Sequence, residues 1–119
     1  MAIKEGMIVY SHVGIHLREG VLITHFGCKT LEDALKYCRG PPSSDLAEIK
    51  YGTFEDDGWN KREVGTPKLI GTFKRSKYKG KVNYSFTMNG YRYPVGSDGS
   101  LGTPTKLRKK TEKTGPFGL

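Results

Sequence analysis

Long hydrophobic runs are missing from this chain. Its apolar stretches last only a few residues, far short of the roughly 20 that a membrane-spanning helix needs. The opening residues, Met1-Ala2-Ile3-Lys4-Glu5-Gly6, contain no apolar segment of the secretory kind. Neither a membrane segment nor a targeting segment is therefore expected. Cysteine is scarce, with only Cys28 and Cys38. They do not form a C-x-x-C pair, which excludes a zinc knuckle. Also missing are a G-x-S-x-G elbow, a Walker loop and a G-x-G-x-x-G opening a helix. No motif names an activity.

The two thiols read as reduced groups in or near the core, since free cysteine is among the most buried residue types. A Cys28–Cys38 disulfide would need Cα atoms within about 7 Å. Reduced thiols without a secretory segment point to a cytoplasmic protein. The 119 residues suit one domain, long enough to bury a core without staples. Hydrophobic residues make up only 35%, while glycine is abundant at 16. That balance favours short strands and tight turns over long helices.

Negative charge is nearly absent from the second half. Residues 1–60 carry four Lys and two Arg against five Glu and four Asp, a net of −3. Residues 61–119 carry ten Lys and four Arg against two Glu and one Asp, a net of +11. Such asymmetry speaks to association with a polyanion rather than to fold.

Residues 7–10 and 21–26 are rich in β-branched and aromatic side chains and predict a strand pair, with 13–17 extended and 18–20 turning. One helix follows over 30–39. Thr30 is a good N-cap. Leu31, Ala34, Leu35 and Cys38 make one apolar stripe at i, i+3, i+4 and i+7. Gly40 and then Pro41-Pro42 end it. Residues 46–54 read as a strand, 55–58 as a turn and 59–64 as its antiparallel return. Thr66-Pro67 breaks the chain before a strand at 68–74. Asn89-Gly90 joins 82–88 to 91–95 as a type I′ hairpin. On its first arm Val82, Tyr84, Phe86 and Met88 face the core, and Asn83, Ser85 and Thr87 face water.

Three constellations are candidates for function. The basic one is a loop over 74–81 carrying Lys74, Arg75, Lys77, Tyr78, Lys79 and Lys81. Arg92 lies on the adjacent hairpin, and Lys106, Arg108, Lys109, Lys110 and Lys113 follow in the tail. Lys and Arg gain phosphate affinity by releasing counterions, and Arg and Tyr planes stack on unpaired bases. The mixture suits a surface that tracks a backbone better than a base-reading helix. The second constellation is His12, His16 and His25, which would bind a metal or act as acid and base if the paired strands converge them. The third is Glu48-Ile49-Lys50, the E-x-K form of one class of metal-dependent nucleases, with Asp45 or Glu55-Asp56-Asp57 as a further carboxylate.

The expected fold is α+β: a curled, barrel-like antiparallel sheet of about five or six strands with one short helix packed on it. Residues 1–95 form the domain and 96–119 a basic tail with little structure of its own. The expected function is a small non-enzymatic binding protein whose basic C-terminal half engages nucleic acid or a ribonucleoprotein assembly. Alternatives are a small inhibitor or accessory protein docking on an acidic protein surface, and a metal-dependent nuclease or histidine-based hydrolase. No cofactor and no membrane partner is implied, and no motif sets an oligomeric state.

Overall fold

A computed structural model describes residues 2–13, 21–40 and 43–107. His16, the 18–20 turn, Pro41-Pro42, Arg108, Lys109, Lys110 and Lys113 lie outside the described residues. The elements in chain order are β1 (Ala2–Val13), β2 (Val21–Cys28), α1 (Leu31–Arg39), β3 (Leu46–Asp56), β4 (Lys61–Tyr78), β5 (Lys81–Met88), β6 (Tyr91–Pro94) and β7 (Thr105–Lys106). Every pairing is antiparallel, and the sheet order is β2-β1-β3-β4-β5-β6-β7. The α+β class is as expected. Among the described residues seven strands form where about five or six are expected, because the short β7 lies within the segment expected to be a tail.

The helix forms where its caps and stripe place it. The Thr30 side chain accepts from the Asp33 backbone N–H at 3.1 Å. Gly40 closes the last turn, donating its N–H to the Lys36 and Tyr37 carbonyls. A nine-residue helix is marginal alone. Burial of Ala34, Leu35 and Cys38 against the sheet stabilises it. Val9, Ala47, Ile49, Phe73, Phe86 and Val95 meet it from the sheet and complete the core. Gly71 belongs to the same face, where the Phe86 ring and the Thr87 carbonyl take the space its Cβ would need.

Two expectations about β4 are corrected. The break at Thr66-Pro67 is no break, because one strand runs from Lys61 to Tyr78. The ladder with β3 is irregular there, Tyr51 pairing Lys68 while Thr53 pairs Val64. A β-bulge is where a strand tolerates proline, which has no N–H to give. A second irregularity lies between Ile49 and Lys50, and bulges add twist. The basic stretch 74–81 is likewise no loop. Both strands continue to a two-residue turn, Lys79-Gly80, with φ of 51° and 80°, the left-handed pair that a type I′ turn requires. Asn89-Gly90 makes the same turn one hairpin later, with φ of 54° and 82°.

Beyond Pro94 the chain stays on the domain. Val95 bridges Leu101, and the Gly102 N–H donates to the Pro94 carbonyl at 2.8 Å. β7 then pairs with β6, and the Leu107 N–H reaches the Gly90 carbonyl at 2.9 Å. At the opposite end Trp59, 95% exposed, sits on the tip of the β3–β4 hairpin. The Asp56 and Asp57 carboxylates hold that tip, accepting from the Gly58 and Asn60 backbone N–H groups.

Candidate nucleic-acid interface

Strand alternation divides the sheet into a face covered by α1 and an open face. Phe73 and Phe86 pair across β4 and β5 on the covered face, so their neighbours Thr72, Lys74, Ser85 and Thr87 stand on the open one. The register stacks this open face in transverse rows. Thr72, Thr87, Arg92 and Thr105 form one row, and Lys74, Ser85 and Pro94 the next. Ser76 with Asn83, then Tyr78 with Lys81, carry the pattern to the hairpin tip. Two-residue steps of about 6.7 Å put the Arg92 row roughly 20 Å from the Lys81 row.

The predicted basic residues are thereby sorted. Lys74, Tyr78, Lys81 and Arg92 share the open face, and Lys79 occupies the turn beside them. In the register Arg75, Lys77 and Lys106 alternate with these, opposite Tyr84, Val82 and Tyr91 respectively. Arg75 is engaged: its Nη2 lies 2.7 Å from Asp45 Oδ1, and its backbone N–H donates to the Asp45 carbonyl at 3.0 Å. That pair anchors the loop before β3 onto β4. Lys74 and Arg92 line a shallow groove of about 330 Å³ floored by Thr72, Ser76, Asn83, Ser85 and Thr87. A larger open groove of about 690 Å³ adjoins it where β3 begins, sharing Leu46, Lys74 and Ser76 and lined also by Asp45, Arg75, Lys77 and Val82 at the sheet's edge. Tyr78 is 67% exposed, with the Lys79 ammonium 5.4 Å from its ring centre.

Sequence reasoning saw the wet face of β5 in Asn83, Ser85 and Thr87. Thr72, within the expected strand 68–74, and Ser76, within the stretch expected to be a loop, are not among the candidates it names. The period-two pattern Thr72, Lys74, Ser76, Tyr78 was the available signal.

Towards β1 the open face changes character. Tyr10 donates to Glu63 Oε2 at 2.9 Å, tying the far part of β4 back across the sheet. Burial, then the bond to Glu63, pushes the Tyr10 phenol well above its ordinary range. The expected pairing of Glu48 and Lys50 on one face is present, with Oε1 and Nζ 3.8 Å apart. Glu63 is bonded to Tyr10, the cross-strand partner of Glu48, while Asp45, Glu55 and Asp56 pair with Arg75, Arg62 and Lys4. Among the described residues no three His, Cys, Asp or Glu side chains are grouped to hold a metal ion.

The histidines part company. His25 pairs with Val9 on the covered face, whereas His12 lies three residues along β1 on the open one. His25 stacks on Tyr37 at 4.2 Å between ring centres. Burial, and secondarily the Lys61 charge, lower its pKa below the usual 6.5. Stability linked to His25 is therefore complete above about pH 6.5 and lost as pH falls through the folded value. Melting temperature should drop between pH 7 and 5.5, and His25→Phe, which keeps the stack, should flatten that drop. An unchanged slope would show that His25 does not control it. Asp56 and Asp98 stay out of this window. The Lys4 hydrogen bond and the Ser100 hydroxyl hold their carboxyls below the normal carboxylate range.

Both cysteines are free and buried. Burial pushes the Cys38 thiol up to about 12 and also raises Cys28, so neither offers a thiolate for nucleophilic chemistry near neutral pH. No helix among the described residues is long and apolar enough to cross a membrane. Compared with known proteins, this chain matches no protein-family model, no curated protein and no solved structure.

Proposed function

We propose that this chain is a binding protein whose open sheet face engages nucleic acid, free or within a ribonucleoprotein assembly. The observation that supports this reading is the register. It gathers Lys74, Lys81, Arg92 and Tyr78 onto one uncovered face, among hydroxyl and amide side chains that hydrogen-bond phosphate and sugar oxygens. The opposed placement of His12 and His25 favours binding over histidine-based hydrolysis.

The test is fluorescence anisotropy of labelled oligonucleotides across a salt series. The chain is compared with a triple variant, Lys74→Gln/Lys81→Gln/Arg92→Gln. A second variant, Lys36→Gln/Lys106→Gln, removes two charges from α1 and β7 on the opposite side. The log–log salt slope of the unaltered chain is expected near −2, since three neutralised phosphates contribute about −0.7 each on a single strand. The triple variant should lose most of both the affinity and the slope, while the opposite-side variant stays close to the parent. Absence of binding at low salt would sink the proposal and turn attention to an acidic protein partner. Equal losses in the two variants would show that the face has no special role.

A further inference from the structure

We infer that the open face is a site for single-stranded nucleic acid, not duplex; this rests on the reading just given and narrows it. Four features converge. The first is what the face lacks. A duplex carries one negative charge per about 1.7 Å of axis, yet over its roughly 20 Å length this track offers three cations, Lys74, Lys81 and Arg92, plus Lys79 at the turn. Between them stand uncharged groups. Thr72, Ser76, Asn83, Ser85 and Thr87 are short donors and acceptors, suited to sugars and to base edges splayed open in a single strand.

The second feature is that the helix is not a probe for the major groove. Among the described residues α1 is the one helix, with nine residues, and it packs on the covered face. Its Arg39 is committed elsewhere, lying 4.1 Å over the Tyr84 ring and donating to the Val95 carbonyl. Among the described residues no helix is thus placed to read base edges of an intact duplex from the open face.

The third is an aromatic platform in line with the cations. Tyr78 is directly opposite Lys81 on the open face, is 67% exposed, and stands at the end of the track. An exposed ring flanked by ammonium groups is the arrangement on which an unpaired base stacks, whatever its identity. The fourth is rigidity. The Lys79-Gly80 turn holds both flanking residues in paired strands, so the ring is presented with little ordering left to be done on binding. A track of this length accommodates a few nucleotides, with Tyr78 stacking the terminal base.

The experiment compares oligo(U), oligo(dT) and a short duplex of mixed sequence, matched in phosphate number, at one low salt concentration. Tyr78→Ala and Tyr78→Phe are assayed beside the parent chain. Single strands should bind more tightly than the duplex. Tyr78→Ala should weaken single-strand binding roughly 5- to 150-fold, the range for one base–aromatic stack, and leave the salt slope unchanged. Tyr78→Phe should retain the affinity, because the ring stacks and the hydroxyl does not. A duplex bound as tightly as the single strands, or a Tyr78→Ala variant equal to the parent, would overturn the single-strand assignment while the nucleic-acid reading stood. If neither probe bound, the broader reading would fall with it.

Discussion

Phe86→Ala should cost about 3–5 kcal/mol of folding stability, a large part of the 5–15 kcal/mol typical of a domain. Phe86 is fully buried. Its ring lies over the bare Gly71 backbone, and its cross-strand partners are Phe73 on β4 and Tyr93 on β6. Removing the ring opens a void in the middle of the sheet, where hydrogen-bonded neighbours on both sides prevent collapse. Urea unfolding monitored by circular dichroism measures the loss. A cost below about 1 kcal/mol would mean that β4, β5 and β6 do not share this core.

Gly99→Ala should be the second large effect, at about 2–4 kcal/mol. Gly99 has φ of 85°, and a Cβ there would run into the Glu32 carbonyl and crowd the Lys36 backbone nitrogen of α1. Both obstacles are backbone, so no rotamer change relieves them. The turn that carries Gly99 is tightly made. The Gly96 N–H donates to the Ser100 carbonyl at 2.8 Å, and Asp98 Oδ1 accepts from the Ser100 hydroxyl at 2.6 Å. Gly58 supplies the comparison. Its φ is 92°, but nothing lies within 4 Å of its Cβ position. Gly58→Ala therefore carries only the conformational term, about 1 kcal/mol. The difference between the two melting temperatures reports how firmly residues 96–101 seat on the helix. Equal losses would show that this turn is not docked there.

What the amino-acid order alone settled is local. The helix over 31–39 was readable because its N-cap, stripe and closing glycine are all specified within a dozen residues. The Asn89-Gly90 hairpin was readable because left-handed φ values at two successive positions select that dipeptide. Charge asymmetry was readable because it is a count. Class followed from these, since one short helix among β-rich segments needs a sheet to pack on.

Tertiary structure decided the rest, and the physical reason is that strand pairing is non-local. Side chains alternate with period two, so sorting charges onto a face requires knowing where each strand starts and bulges. Lys74, Arg75 and Lys77 look alike in sequence. Register places Lys74 beside Arg92 over the open groove, binds Arg75 to Asp45, and sets Lys77 opposite Val82 at the sheet's edge. Lys79-Gly80 was legible as a turn only once the strands on either side were known to run up to it. The same dependence on distant partners separated His12 from His25 and brought Glu63 to Tyr10 across 53 positions of sequence. It also laid residues 95–107 along α1 and β6, where polar, glycine-rich composition had suggested a tail.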